Sequence, residues 1–156
     1  MSTIAKLPED QIPVDPKRLF VYGSLMEGFS NYKEILKEGR VISRISGRVR
    51  GTLYHQEKKD YPAMIPSDGW VGGEFLKLEN FDKQISSCDK VEDYFGPNHQ
   101  NNYYERRITE VELENGKTDL AWVYWYVRDD LGSEQNPVIP VPSGNWREFK
   151  ETQGRR

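Results

Sequence analysis

Short apolar runs separated by glycine, proline and asparagine recur along the chain and predict β-strands more often than helices. The first run, Leu19–Tyr22, ends at Gly23 and predicts a buried strand followed by a turn. Further strands are predicted over Val41–Arg44, Gly47–His55, Tyr61–Ile65, Trp70–Leu78, Tyr103–Leu113 and Thr118–Val127. Asn115-Gly116, a dipeptide typical of tight hairpin turns, joins the last two.

Glycines and prolines mark irregular points in these strands. A kink is expected at Gly47, and Pro62 and Pro66 bound the short segment after it. The paired Gly72-Gly73 predicts a bulge or a close approach of another backbone segment.

Two short helices are predicted, over Asn31–Lys37 and over Phe81–Asp93, with Asn80 as the N-cap of the second. Strands and helices do not alternate regularly, which indicates an α+β fold. A closed or nearly closed barrel would remove exposed strand edges, but periodicity alone does not choose between a barrel and an open sheet. We assign residues 1–17 to an N-terminal arm and residues 18–156 to one domain, whose polar tail from Arg128 has no assigned element.

The amino-acid composition and net charge limit the classes of function that are open to this chain. The 156 residues are 36% hydrophobic and 30% charged, as in water-soluble globular proteins. A net charge of −3 argues against a nucleic-acid partner. The aromatic cluster of Trp122, Tyr124 and Trp125 offers an alternative, the stacking of single-stranded bases, which the charge and the burial expected from strand alternation disfavour.

The sequence contains few motifs that would indicate a cofactor, a metal or a cellular location. The single cysteine, Cys88, excludes an intrachain disulfide and fits a small core residue. We see no signal peptide and no apolar run of the ~20 residues that a membrane span needs, so we expect a cytoplasmic protein without membrane contact. No HExxH, CxxC, GxGxxG or GxSxG motif is present, and His55 and His99 are expected at the surface; we therefore expect neither a metal nor a cofactor.

Two segments are candidates for a functional site. The turn Tyr22–Leu25 either only ends a strand or directs successive backbone N–H groups at a carboxylate or an oxyanion. Glycine at position 23 would keep a side chain out of the ligand's path.

The second candidate is Glu92. It follows Phe81, Ile85 and Cys88 at helical spacings of four, three and four, so it extends the apolar face of that helix. A carboxyl group there would be partly desolvated, and its pKa would rise towards that of a working acid or base. The alternative is that the helix frays after Val91 and Glu92 is solvated. Asp89 and Asp93 lie off this face and are expected to be surface charges.

Strand alternation places Tyr104 and Arg106 on one face. Facing inwards, the two side chains would suit an anionic ligand. The alternative is a basic strand edge whose arginine pairs with nearby carboxylates.

Taken in order, these segments resemble the γ-glutamylcyclotransferase-like superfamily, which includes γ-glutamylamine cyclotransferases and AIG2-like proteins. The resemblance spans Arg18–Val127 and rests on matching motifs: Leu19-Phe20-Val21-Tyr22-Gly23-Ser24-Leu25, Gly47–Leu53 with Tyr61-Pro62-Ala63, Val71–Leu78, Cys88-Asp89-Lys90-Val91-Glu92 and Tyr104-Glu105-Arg106. It departs from the family at Asp93, where glycine is common, and in the longer polar segment Phe95–Asn102.

The resemblance implies a mixed β-barrel flanked by helices, with Glu92 as acid–base and the Tyr22–Leu25 loop binding the glutamyl group. The implied reaction releases 5-oxoproline and a free amine from a small γ-glutamyl amide, when the substrate's α-amine attacks its own γ-carbonyl. Relatives act on γ-glutamyl amino acids, γ-glutamyl-ε-lysine, glutathione or γ-glutamyl-protected biosynthetic intermediates, and the sequence does not select among them. A binding module of the same fold is the alternative, which an exposed Glu92 or the lack of an adjacent cavity would favour.

Overall fold

The computed structural model describes residues 15–154, so the first fourteen residues of the predicted arm lie outside the described residues. The elements in chain order are β1 (Leu19–Val21), α1 (Tyr32–Leu36), β2 (Val41–Gln56), β3 (Tyr61–Leu78), α2 (Phe81–Val91), β4 (Tyr104–Leu113), β5 (Thr118–Tyr126), β6 (Val138–Pro140) and α3 (Trp146–Gly154). None of the helices in the described range is long and apolar enough to cross a membrane.

The strands β2 and β3 form one long antiparallel hairpin, where the sequence predicts two shorter strands on each side. The break expected at Pro66 is a bulge: Arg50 pairs with Trp70 but Thr52 pairs with Ile65, so the residues between them bow out of the ladder. Pairing resumes on both sides of the bulge. Proline therefore interrupts the register without ending the strand.

Closure of the sheet produces a barrel. The strand order is β3-β1-β5-β4-β2, and β2 also pairs with β3, which completes the ring of five strands. Only the β1–β5 pairing is parallel among these contacts, with Leu19 opposite Trp122. The predicted α+β fold, a small mixed barrel flanked by short helices, is confirmed.

The paired glycines on β3 allow a close backbone approach rather than a bulge. A Cβ atom on Gly73 would lie 2.1 Å from the carbonyl oxygen of Val21, which no side chain could tolerate. The N–H of Gly72 donates to the carbonyl oxygen of Gly144 at 2.8 Å. This part of β3 therefore packs against β1 and the C-terminal segment at backbone distance.

The aromatic cluster on β5 faces the core. Trp125, Tyr124 and Tyr126 are buried, and Trp122 is half-buried. Because their rings fill the core, these residues are not available as a surface for stacking bases.

The polar C-terminal tail forms β6 and α3, which the sequence analysis did not assign. Strand β6 pairs with the end of β2, and α3 packs Trp146 and Phe149 against the imidazole of His55. His55 is only 3% exposed as a result, so the expectation of a surface histidine is wrong. Its partners come from almost a hundred residues away, which the local pattern around His55 does not reveal.

The start of α2 also differs from the expectation. Asn80 precedes the helix, but its side chain makes no capping hydrogen bond. The Oε1 atom of Gln84 instead accepts a hydrogen bond from the Asn80 N–H at 2.7 Å, and the Gln84 Nε2 donates to the carbonyl oxygen of Ile35 at 2.6 Å. The buried Gln84 thus ties the start of α2 to α1.

Candidate active site

Helix α2 delivers Glu92 to the interior of the protein. Phe81, Ile85 and Cys88 are buried on one face, and Glu92 continues this face as the C-cap, with its N–H bonded to the Cys88 carbonyl oxygen at 3.0 Å. Glu92 is 4% exposed. The end of the helix therefore does not fray to leave a solvated carboxylate. The structure shows the expected buried position of Glu92.

Burial dominates the electrostatics of Glu92. Its pKa is raised from 4.5 to about 8 in total, and desolvation is the largest cause, since the charged form loses its hydration. The hydrogen bond from Tyr61 lowers the pKa, and the nearby carboxylates of Asp93 and Asp89 raise it further. A carboxyl group with this pKa exchanges protons readily near neutral pH.

A small pocket opens beside Glu92. Its volume is about 20 Å³, enough for about one water molecule. The first strand and its turn, the Tyr61-Pro62 segment, α2 and β5 contribute its lining: Phe20, Val21, Tyr22, Gly23, Ser24, Leu25, Tyr61, Pro62, Glu92 and Tyr124. The structure thus brings the two predicted segments, the turn and Glu92, into one site.

The turn that lines this pocket leaves two of its backbone N–H groups without an acceptor in the described residues. The carbonyl oxygens of Gly23 and Ser24 accept hydrogen bonds from the N–H groups of Met26 and Asn31, at 2.9 and 3.0 Å. Among residues 15–154, no acceptor is found for the N–H groups of Ser24 and Leu25. The Ser24 hydroxyl accepts from the Asn31 Nδ2 at 2.9 Å. The two free N–H groups can therefore bind an anionic oxygen.

The turn requires glycine at position 23 because of packing. A Cβ atom there would lie 2.3 Å from Cγ of Pro62, and φ of Gly23 is not positive. The sequence-based reason, a clear path for the ligand, is therefore incomplete, since the pocket wall itself excludes a side chain. The phenol of Tyr22 is directed elsewhere and donates to the Tyr124 carbonyl oxygen at 2.6 Å.

Tyr61 is the site residue that sequence reasoning missed. Its hydroxyl donates a hydrogen bond to Oε2 of Glu92. Burial raises the pKa of Tyr61, and the nearby Glu92 carboxylate raises it further. This phenol therefore stays protonated and remains a hydrogen-bond donor. The Tyr61-Pro62-Ala63 motif was the available signal, but the motif alone does not indicate a contact with Glu92.

Tyr104 and Arg106, the candidate anion-binding pair, contact separate partners within the protein. The Tyr104 hydroxyl donates to the Pro62 carbonyl oxygen at 2.6 Å and so supports the pocket wall from behind. Arg106 donates through Nε to Oδ1 of Asp89 at 2.7 Å. The alternative, an arginine paired with a nearby carboxylate, is the observed one.

Asp89 is consequently more than a surface charge. Its Oδ1 also accepts a hydrogen bond from the Tyr124 hydroxyl at 2.6 Å, and its side chain is 20% exposed. Asp93, by contrast, is exposed as expected, and so is His99. In the part of the chain that the structure describes, no group of three or more His, Cys, Asp and Glu side chains could hold a metal ion.

A family model described as "Gamma-glutamyl cyclotransferase, AIG2-like" matches residues 19–148. The chain belongs to this family. It is 36% identical over 132 residues to the gamma-L-glutamyl-butirosin B gamma-glutamyl cyclotransferase of Niallia circulans. The alignment covers 85% of this chain and 76% of that protein. The chain is therefore an enzyme, a γ-glutamyl cyclotransferase, whose substrates are small γ-glutamyl amides.

Solved structures share the fold of this cyclotransferase. A mouse AIG2-like protein matches with a TM-score of 0.59 at 24% identity, over 73% of this chain and 79% of that one. YkqA of Bacillus subtilis matches with a TM-score of 0.62 at 21% identity, over 90% of this chain; the chain spans 43% of that protein. At these identities the likeness extends to the fold alone.

Proposed function

We propose that Glu92 is the acid–base of this cyclotransferase and that the enzyme unmasks an amine protected by a γ-glutamyl group in a biosynthetic pathway. The observation that carries the catalytic assignment is a buried carboxyl group with a pKa of about 8, placed beside a turn with free N–H groups. An exposed Glu92 without a cavity would have favoured a non-catalytic binding module, and this condition is not met.

The reaction needs a proton acceptor first. The α-amine of a γ-glutamyl amide is largely protonated at neutral pH, with a reference pKa of roughly 7.7–8.0. Glu92, with a pKa of about 8, is closely matched to it, so proton transfer between the two costs little. The neutral amine then attacks the γ-carbonyl carbon and closes the five-membered ring.

Cleavage of the amide bond requires a proton on the leaving nitrogen. The tetrahedral intermediate expels the leaving amine only after its nitrogen has been protonated, and Glu92 holds the proton taken from the α-amine. The ring nitrogen then still carries one hydrogen too many, which Glu92 accepts and the released amine takes up as an ammonium group. One carboxyl group thus serves every transfer, and no proton is gained or lost overall. The attack is intramolecular, and well-oriented reactions of this kind reach effective molarities of about 10⁵–10⁸ M.

The free N–H groups of Ser24 and Leu25 stabilise a negative charge on the substrate. They suit either the oxyanion that develops on the γ-carbonyl or the α-carboxylate of the glutamyl group. Either assignment fixes the glutamyl half of the substrate, which every γ-glutamyl amide shares. The turn therefore recognises the acyl group, and discrimination among substrates falls to residues that meet the leaving amine.

The role in unmasking is supported by the relative from Niallia circulans, which is named for its action on gamma-L-glutamyl-butirosin B. A screen of γ-glutamyl amides, with release of 5-oxoproline as the readout, tests the proposal. We expect turnover of amides of primary amines that are larger than the common amino acids. Turnover of γ-glutamyl amino acids or glutathione alone would refute the unmasking role, and no 5-oxoproline from any amide would refute the assigned chemistry.

A further inference from the structure

A network of three buried polar side chains, Asn136, Gln56 and Tyr104, lies behind the catalytic pocket. Asn136 belongs to the loop between β5 and β6, and its Nδ2 donates to Oε1 of Gln56 at 2.9 Å. The Gln56 Nε2 donates to the Tyr104 hydroxyl at 2.9 Å. The Tyr104 hydroxyl donates in turn to the carbonyl oxygen of Pro62, which lines the pocket, at 2.6 Å. Successive hydrogen bonds thus connect the C-terminal loop to the pocket wall.

The network is dry. Gln56 is fully buried, and Asn136 and Tyr104 are buried as well. Burial raises the pKa of Tyr104, and the nearby Glu92 carboxylate raises it further, so the phenol stays protonated and can donate. Hydrogen bonds are strong in such surroundings, and a missing one is costly. The loss of one member therefore disturbs the groups that it holds.

All of these hydrogen bonds point towards Pro62, and Asp130 sets their direction. The Asn136 Nδ2 lies 3.3 Å from Oδ1 of Asp130 and 3.2 Å from the Tyr126 hydroxyl. Burial acts to raise the pKa of Asp130, but the hydrogen bonds from Tyr126 and Asn136 outweigh it and hold the pKa below its ordinary value. The ionised carboxylate only accepts hydrogen bonds, so it turns the amide nitrogen of Asn136 towards itself.

The side-chain oxygen of Asn136 shows how strongly this orientation is imposed. It is buried and accepts no hydrogen bond within residues 15–154, which is uncommon in folded proteins. A reversed amide would place this oxygen against two further acceptors, the Asp130 carboxylate and Oε1 of Gln56. The observed orientation therefore prevails, and it fixes Gln56 with its Nε2 towards Tyr104.

The segment held by the network is central to the site. Pro62 has no backbone N–H, so its carbonyl oxygen is its only polar backbone group. Its ring lies so close to Gly23 that a Cβ atom there would be 2.3 Å from Cγ of Pro62. The preceding residue, Tyr61, donates its hydroxyl proton to Glu92, and its carbonyl oxygen lies 3.4 Å from Nε2 of Gln56. A shift of this segment would thus disturb the turn and the acid–base together.

We propose that Asn136 and Gln56 are positioning residues of this cyclotransferase. They orient the Tyr104 hydroxyl towards Pro62 and so hold the Tyr61-Pro62 segment against Glu92 and the turn. Neither residue lines the pocket, so the C-terminal loop acts on the reaction from outside it. This inference rests on the proposed function, because it takes Glu92 as the acid–base.

Gln56→Met and Asn136→Leu test the proposal, since each keeps the approximate size of the side chain and removes its hydrogen bonds. The substrate is the γ-glutamyl amide that the wild type turns over fastest, with release of 5-oxoproline as the readout. We expect kcat/KM to fall about tenfold in each variant, as for one lost buried hydrogen bond. The midpoint of the pH profile should also move to higher pH, because a displaced Tyr61 donates less effectively to Glu92.

A double-mutant cycle shows whether the effect passes through Tyr104. Tyr104→Phe removes the hydroxyl that reaches Pro62 and should reproduce the loss and the shift of the profile. In the Tyr104→Phe background, Gln56→Met or Asn136→Leu should then change kcat/KM by less than about twofold, because groups that act as one unit are not additive. The cycle with Asn136→Leu stands by itself if Gln56→Met does not fold.

Gln84→Met is the matched control. Gln84 is also fully buried, and its amide joins α2 to Asn80 and Ile35, but it does not line the pocket or reach Pro62. This variant should lower Tm as Gln56→Met does, yet keep the pH profile of the wild type. All variants are compared well below their Tm, where circular dichroism shows them folded.

An unmoved pH profile in folded Gln56→Met and Asn136→Leu would overturn the proposal. So would losses that multiply in the cycle, or an equal shift of the profile in Gln84→Met. Glu92→Gln separates the two levels of inference. If Glu92→Gln is inactive while Gln56→Met and Asn136→Leu match the wild type, only the positioning role fails. If Glu92→Gln retains full activity, the proposed function fails and this inference fails with it.

Discussion

The hydroxyl of Tyr61 donates a hydrogen bond to the carboxylate of Glu92 in the lining of the catalytic pocket. This bond is the one contact of Glu92 that opposes the effect of burial on its pKa. Tyr61 therefore keeps part of the carboxyl group ionised, and thus basic, near neutral pH.

Tyr61→Phe should shift the pH dependence of the reaction. For the wild type we expect a bell-shaped kcat/KM profile with its midpoint at about pH 8, because the reaction needs one proton shared between Glu92, with a pKa of about 8, and the substrate's α-amine, with a reference pKa of roughly 7.7–8.0. Without the phenol the pKa of Glu92 rises, so this midpoint should move to higher pH and activity at neutral pH should fall. Measurement of kcat/KM from pH 6 to pH 10 checks this. Since the α-amine of the substrate titrates identically in both enzymes, the difference reports on Glu92.

A midpoint that does not move would show that Tyr61 has no influence on the acid–base. Tyr54→Phe is the control, because Tyr54 does not line the pocket. It should leave the profile unchanged.

Glu92→Gln should reduce kcat by roughly 10²–10⁴, the usual contribution of general acid–base catalysis. Glutamine preserves the size of the side chain, so the circular dichroism spectrum should match that of the wild type. Asp82→Asn, on the exposed side of the same helix, is the control and should retain full activity. Turnover by Glu92→Gln within a few-fold of the wild type would exclude this role.

The same pair of proteins should differ in stability with pH. The folded-state pKa of Glu92 lies above its value of 4.5 in an unfolded chain, so the folded state holds the proton more tightly. The wild type should therefore lose stability relative to Glu92→Gln as pH rises from about 4.5 to about 8. The Tm values of both proteins across this range measure the effect. A constant difference in Tm would show that Glu92 is not desolvated.

Substitutions in the turn distinguish its backbone from its hydroxyl. Gly23→Val would force a side chain into Pro62 and displace the pocket wall, so we expect a loss in kcat/KM of at least about 10², as when an oxyanion donor is lost. Ser24→Ala keeps the N–H group and loses the side-chain contacts with Asn31 and Tyr61, so its effect should be under about tenfold. Steady-state kinetics of both variants test this.

Equal losses in the two variants would assign the chemistry to the Ser24 hydroxyl. A covalent acyl-serine would then replace direct cyclisation, and mass spectrometry during turnover should detect the adduct.

Asp89→Asn should act on stability more than on catalysis. It removes the charge that pairs with Arg106 in a partly buried site and weakens the contact with Tyr124. We expect a loss of about 1–3 kcal/mol in the free energy of unfolding. Urea denaturation measures it, and kcat should stay within about tenfold of the wild type. Unchanged stability together with a large loss of kcat would instead place Asp89 in the catalytic machinery.

The local pattern of the sequence determined that Glu92 lies on a helix face that enters the core. The spacing of Phe81, Ile85, Cys88 and Glu92 placed the catalytic carboxyl group on a buried helix face, and Asn115-Gly116 marked a true hairpin. Both features depend on residues a few positions apart, so helix periodicity and turn geometry suffice to predict them.

Tertiary structure alone decided what these groups contact. Closure of the barrel brings the Tyr61 hydroxyl to Glu92 and aligns Arg106 with Asp89, and the C-terminal helix buries His55. Each contact joins segments that are distant in the chain. Strand register and long-range packing bring these segments together. A local pattern predicts that a side chain points inwards. It does not predict which residue that side chain contacts, because the contact depends on how the whole chain folds.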